Sequence, residues 1–184
     1  MKHIVFFGDS LTAGYGLKSP STESLPALLA KKALEENKEF SYTNAGVSGD
    51  TSATALQRLP IILKEKIDIF VLGIGANDII RGHTAQSMNT NIESIIQKIR
   101  ISDHNTKMIL LGMELPAWIS HKTVSAYRES YKNLAKKYEL PFLPFLLEGV
   151  IGNQMLNLPD LVHPNAAGYQ IIAENVWPLL QALL

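Results

Sequence analysis

Ser10 stands in the tetrapeptide Gly8-Asp9-Ser10-Leu11, just after an apolar run, in a chain with no cysteine. Any side-chain nucleophile aided by a neighbouring base is therefore an oxygen. A serine hydroxyl attacks a carbonyl only when such a base takes its proton. His3, His83, His104 and His121 lie in stretches with no distinctive partner, and a solvated role is expected for each. His163 differs, because Asp160 precedes it by three residues and Pro164 follows it. The proline disfavours helical backbone at His163, so the pair falls on a short loop leading into the last helix. There Asp160 is placed to hold one ring nitrogen and fix the tautomer, stabilising imidazolium while the other nitrogen takes the Ser10 proton. A helix-entry motif, with Asp160 as cap and His163 on the surface, explains the local residues equally well.

Acyl transfer also needs donors for the oxyanion, and losing one typically costs about 3 kcal/mol in the transition state. Three are available: the backbone N–H groups of Ser10 and Gly49 and the side-chain amide of Asn77. Gly49 lies in Asn44-Ala45-Gly46-Val47-Ser48-Gly49-Asp50 and Asn77 in Gly75-Ala76-Asn77-Asp78, with Asp9 and Asp78 as supporting residues of their loops. Each loop taken singly is explained by the turn preferences of Gly, Asn, Asp and Ser. Other chemistries find no motif. Gly-x-Ser-x-Gly and the phosphate-binding Gly-x-x-x-x-Gly-Lys are absent, and Gly73-x-Gly75 is followed by Asp78 where a dinucleotide turn needs glycine.

Three distant loops meet only if the strands before them are neighbours. Ile4–Phe7, Ile67–Ile74, Met108–Met113 and a shorter Leu140–Leu143 are nearly continuous apolar runs, as strands covered on both faces require, and Phe40–Thr43 is a weaker fifth. Between them run helical stripes: Leu25, Leu28, Leu29 and Ala33; Ile92, Ile95, Ile96 and Ile99; Val124, Tyr127, Tyr131, Leu134 and Tyr138. Ser48–Lys66 reads as helical, with Pro60 kinking or dividing it. A last helix from Pro164 or Asn165 buries Ile171, Ile172, Leu179 and Leu180, and Trp177-Pro178 should bend it. Thr84–Asn91 and Leu146–Pro159 read as long connections. The alternation predicts a three-layer α/β/α fold with a mostly parallel, flavodoxin-like five-stranded sheet in the order 2-1-3-4-5, spanning residues 1–184 as one domain. In such a sheet ligands bind beyond the carboxyl ends of the strands, where the order reverses. All three loops fall there.

With these blocks in order, the chain resembles the SGNH, or GDSL-type, hydrolases, named for Ser, Gly, Asn and His. The matching stretches are Gly8-Asp9-Ser10-Leu11, Gly49-Asp50, Gly75-Ala76-Asn77-Asp78 and Asp160-Leu161-Val162-His163-Pro164. Within that family it is similar to the bacterial acyl-CoA thioesterase, lysophospholipase and arylesterase group, through Ser48-Gly49-Asp50-Thr51-Ser52, Arg58-Leu59-Pro60, Asn77-Asp78 with Arg81-Gly82, and Leu115-Pro116-Ala117. The resemblance implies Ser10, Asp160 and His163 as a triad, Ser10, Gly49 and Asn77 as the oxyanion hole, and no metal or other cofactor. It also implies hydrolysis of carboxylic esters or thioesters, with carbohydrate O-deacetylation as the alternative within the family.

Apolar residues on loops facing the sheet rim suggest an acyl groove: Leu115, Trp118, Ile119, Val150, Ile151, Met155 and Leu158, with Arg81 as a further groove candidate. Core packing is the competing reading for each of them. Two other functions remain open at this point: a metal-dependent phosphoesterase on Asp9, Asp50, Asn77, Asp78 and His163, and a non-catalytic lipid-binding domain. Lys and Arg total 17 and Asp and Glu 17, so no net field attracts nucleic acid. No apolar run approaches the roughly 18 residues of a membrane span. The expected partner is a small acyl ester or thioester, and a monomer is consistent with the sequence. The strand that follows Met1, Lys2 and His3 leaves no room for a leader, so the cytoplasm is the expected compartment. The periplasm or exterior is expected instead if a leader has been removed.

Overall fold

The computed structural model describes residues 1–113 and 122–184, with the side chains of 122–124 outside the description. The groove candidates Leu115, Trp118 and Ile119, together with Pro116, Ala117, His121 and the side chain of Val124, therefore lie outside the described residues. Five strands, β1 (Lys2–Gly8), β2 (Phe40–Gly46), β3 (Ile69–Gly73), β4 (Lys107–Leu111) and β5 (Phe142–Leu143), form a sheet in the order β2-β1-β3-β4-β5. Every pairing is parallel. This is the 2-1-3-4-5 order expected of the alternating pattern.

The helices are α1 (Ser10–Ala13), α2 (Pro20–Glu23), α3 (Leu25–Glu35), α4 (Ser52–Ile62), α5 (Ala76–Ile80), α6 (Ala85–Ser102), α7 (Lys122–Lys137) and α8 (Ala166–Gln181). The α3 stripe Leu25, Leu28, Leu29 and Ala33 is buried, and so is the α6 stripe Ile92, Ile95, Ile96 and Ile99. Tyr127, Tyr131 and Leu134 of α7 join the same cluster as the sheet residues Ile4, Phe7, Phe70 and Leu110.

Two local expectations are corrected. Thr84–Asn91 is not a connection: the Thr84 side chain accepts the Ser87 N–H at 3.1 Å and starts α6 there. Its polar residues are simply the outer face of a helix whose inner face continues through Met88 and Ile92. Pro60 does not divide its helix: α4 runs on past it to Ile62, as α8 does past Pro178 to Gln181. Leu146–Pro159 carries no helix or strand, as a long connection should. Among the described residues no helix is long and apolar enough to cross a membrane.

The site is positioned by a level row of glycines. Gly8 pairs with Gly46 on one side and with Gly73 on the other, so three adjacent strands end together. This lets α1 lie directly on the sheet rim: a Cβ on Gly46 would stand 2.2 Å from the backbone nitrogen of Ala13. At Gly73 the nearest atom to a Cβ is 3.5 Å away, an ordinary contact. Gly46→Ala is therefore expected to destabilise the protein by about 2 kcal/mol through overpacking against backbone, whereas Gly73→Ala is nearly neutral. Urea unfolding of the two variants checks the contrast.

Candidate active site

Ser10 is the first residue of α1, and Asp9 caps that helix by accepting the Leu11 N–H at 3.0 Å. A helix's first N–H groups have no partner within the helix, and Ser10 holds the first position of α1. Asp9 is buried and its Oδ2 has no hydrogen-bond partner among the described residues. Burial raises its carboxyl from the ordinary 3.8 to about 6; the Leu11 N–H and His163 oppose the rise, while Asp50 and Asp78 add to it.

His163 arrives from the other end of the chain. Its loop is closed by the Leu158 N–H on the His163 carbonyl at 2.7 Å and by a bridge between Asn157 and Pro164. Leu161 adopts a left-handed φ of 60° within the loop, which turns the Asp160 carboxylate back onto the residues that follow it. Asp160 Oδ1 accepts the N–H groups of Val162 and His163, each at 2.9 Å, and Oδ2 lies 2.7 Å from His163 Nδ1. Partial burial works to raise the Asp160 carboxyl, but the N–H groups of His163 and Val162 and the imidazole outweigh it and hold the carboxyl at about 2. An ionised carboxylate cannot donate, so Nδ1 carries the proton and donates to it. The other nitrogen of the neutral ring, Nε2, is then an acceptor. It lies 3.0 Å from Ser10 Oγ, and the serine hydroxyl donates to it.

The Gly49 and Asn77 loops are tied to this pair by buried polar contacts. Arg58 Nε donates to Asp50 Oδ2 at 2.5 Å, while another nitrogen of the same guanidinium donates to the Gly8 carbonyl at 2.9 Å. The guanidinium also lies 4.0 Å above the Phe7 ring. Arg58 thus fastens the loop after β2 to the strand that presents Ser10. Asn77, in the first turn of α5, donates one amide hydrogen to the Asp50 carbonyl at 2.9 Å and keeps its second. Asp78 is fully buried, accepting the Ser52 N–H at 2.7 Å and the Ser52 hydroxyl at 2.6 Å, and Asn91 donates to that hydroxyl at 3.0 Å. Asp9 thus bonds within the Ser10 loop and Asp78 to the start of α4.

A cleft of about 90 Å³ joins Ser10, Asn77 and His163 to an apolar wall of Leu11, Ile79, Ile80, Met113, Leu147 and Ile151. Several groove expectations are corrected here. Met155 is 81% exposed and does not line the cleft, Val150 is core, and Leu158 lies against Gly16. Arg81 donates to the Gly49 carbonyl at 2.9 Å and positions that loop rather than lining the cleft. Of the expected groove residues that are described, Ile151 alone is on the wall. Ile79 and Ile80 were missed because α5 is too short to show a periodic stripe, and Arg58 because its partners are 8 and 50 residues away. The histidines are not all free of partners: His3 contacts Ser41 and Thr43, and His83 lies 3.5 Å from Asp78.

The set Asp9, Asp50, Asn77, Asp78 and His163 does not make a metal centre. Asp50 is held by Arg58, Asp78 by Ser52 and His163 by Ser10 and Asp160. Among the described residues no group of three or more His, Asp or Glu is disposed to hold a metal ion.

A three-layer α/β sheet with a serine, an imidazole and a carboxylate in hydrogen-bonded succession at its switch point defines an enzyme of the serine-hydrolase class. More narrowly, the chain belongs to the GDSL-like Lipase/Acylhydrolase family, which matches residues 6–171. It is 36% identical over 182 residues to Esterase TesA of Pseudomonas aeruginosa, covering 98% of this chain and 89% of that protein. It is 34% identical over 182 residues to Thioesterase 1/protease 1/lysophospholipase L1 of Escherichia coli, covering 98% of this chain and 84% of that one. A crystal structure of TesA superposes with a TM-score of 0.92 at 36% identity, covering 100% of both chains.

The buried Asp9 carboxyl sets a pH dependence of stability. Its folded value, about 6, lies above the unfolded 3.8, so the folded state holds this proton more tightly. No penalty exists while both states are protonated. It grows as the pH rises from about 4 through about 6 and levels off at about 3 kcal/mol. Asp9→Asn is expected to flatten this slope, as read by urea unfolding at a series of pH values.

Proposed function

We propose that the chain is a carboxylic ester and thioester hydrolase working through an acyl-enzyme on Ser10. The observation that carries the reading is the unbroken succession from Ser10 Oγ through the His163 ring to Asp160, at 3.0 and 2.7 Å. Ser10 Oγ attacks the acyl carbonyl while His163 Nε2 takes its proton, and Asp160 stabilises the imidazolium that forms. The Ser10 and Gly49 N–H groups and the second amide hydrogen of Asn77 serve the oxyanion. His163 then gives its proton to the leaving alcohol or thiol. In the second half, His163 removes a proton from water, the hydroxide oxygen attacks the acyl-enzyme, and Ser10 is restored.

The acyl part is assigned to the apolar cleft beside Ser10, which favours acyl chains over the acetate of a sugar ester. An acetyl group would leave Ile79, Ile80 and Ile151 uncovered. The family relatives named esterase and thioesterase/lysophospholipase support an acyl substrate whose leaving group varies.

Ser10→Ala and His163→Ala are each expected to lower kcat by several orders of magnitude on p-nitrophenyl butyrate, and Asp160→Ala by less. A Ser10→Ala protein that folds and turns over near the normal rate would end the proposal. A second measurement tests the cleft. Along a series of p-nitrophenyl esters, kcat/KM is expected to rise from acetyl to butyryl, by up to about fourfold per methylene if each is fully buried at ~0.8 kcal/mol. A maximum at acetyl would remove the acyl assignment of the cleft.

A further inference from the structure

Tyr15 takes no part in the succession described above, yet its ring centroid lies 4.7 Å from that of His163, with the two planes inclined at 51°. The ring remains 52% exposed, and its hydroxyl has no hydrogen-bond partner among the described residues. It does not line the acyl cleft. An aromatic ring half in water, held against one imidazole, is not explained by core packing.

The backbone holds it there deliberately. The Tyr15 N–H donates to the carbonyl of Ser10 itself at 3.0 Å, so the ring's attachment point is fixed to the nucleophile. On its other side Gly16 has a left-handed φ of 77°, and a Cβ there would stand 2.3 Å from a methyl of Leu158. Leu158 is in turn bonded through its N–H to the carbonyl of His163. The turn carrying Tyr15 is therefore bonded to Ser10 and packed against the loop that carries His163.

Accepting the assignment of Ser10 and His163 made above, we infer that Tyr15 is a positioning residue that holds the His163 ring on Ser10 and stabilises the imidazolium formed during acylation. A centroid separation of 4.7 Å is within the reach over which an aromatic face attracts a cation. The attraction grows only as His163 takes the proton, so it lowers the barrier more than it strengthens substrate binding. Asp160 supports the same cation from the Nδ1 side. The phenol hydroxyl has no role in this, so the ring alone suffices.

The test is the rate at which a small fluorophosphonate labels Ser10, which needs the base but no bulky leaving group, together with kcat and KM on p-nitrophenyl butyrate. Tyr15→Leu keeps bulk without an aromatic face, Tyr15→Gln is a second non-aromatic variant, and Tyr15→Phe keeps the ring. Thermal unfolding verifies that each variant folds. Both non-aromatic variants are expected to lose about three- to tenfold in labelling rate and in kcat with KM nearly unchanged, and Tyr15→Phe to match the parent protein. Labelling at the parent rate in Tyr15→Leu and Tyr15→Gln overturns the inference, whether or not KM rises. So does a Tyr15→Phe protein as slow as those two. Failure of the parent protein to label at Ser10 instead refutes the acyl-enzyme reading itself, and this inference with it.

Discussion

The site depends on one carboxylate being ionised in one place. Asp160 accepts three N–H groups, two from the backbone of its own loop and one from the imidazole, and these outweigh the cost of partly burying the charge. The consequence is more than affinity between two side chains. Because Asp160 can only accept, the imidazole must carry its proton on Nδ1, and the bare nitrogen must face Ser10. The left-handed turn at Leu161 is the local backbone cost of aiming the carboxylate back along the chain.

That constraint works only if the nucleophile is equally well placed, and the sheet rim achieves this by removing side chains. Three strands end level on glycine, so a short helix begins at the rim with Ser10 as its first residue. Loops that rest on glycine have little packing of their own. Buried ionic and hydrogen-bonded contacts replace it: Asp50 with Arg58, and Asp78 with Ser52 and Asn91. The Asp78 contacts join segments 26 and more residues apart and Arg58 reaches 50 residues back to Gly8, while Asp50 and Asp78 each adjoin a proposed oxyanion donor. Fully satisfied polar networks of this kind specify one arrangement where apolar contacts would tolerate several.

The parts legible in the sequence share a physical origin. Continuous apolar runs marked the strands because both faces of the sheet are covered, and strict periodicity marked α3 and α6 because one face of each is buried. His163 stood out from the other histidines because its carboxylate partner is three residues away and Pro164 bars a helix. What was illegible is long-range or short-lived along the chain. Arg58 joins Gly8 to Asp50 across distances that no local pattern encodes, and α5 is five residues long, too short for its apolar wall to repeat. Met155 failed as a groove residue for the converse reason: an apolar type on a loop says nothing about which way it points, and here it points to solvent. The start of α6 was misjudged because its outer face is as polar as a loop, and only the inward Met88 and Ile92 distinguish the two.

Asp9 shows what this arrangement costs. A buried carboxyl next to the nucleophile in sequence, with one oxygen unpartnered among the described residues, is a poor choice for stability alone. Asparagine would cap Leu11 with the same carbonyl oxygen, but it would bring two N–H donors into a pocket that leaves even an acceptor oxygen alone. Aspartate can instead adapt by taking up a proton, which its elevated pKa of about 6 makes easy. With a value of about 6 the carboxyl is mostly ionised at neutral pH, and its negative charge attracts a positive charge on His163 through the protein interior. A group that destabilises the fold when ionised thus lies close enough to His163 for opposite charges on the two to attract, and acyl transfer passes twice through the charged form of that ring.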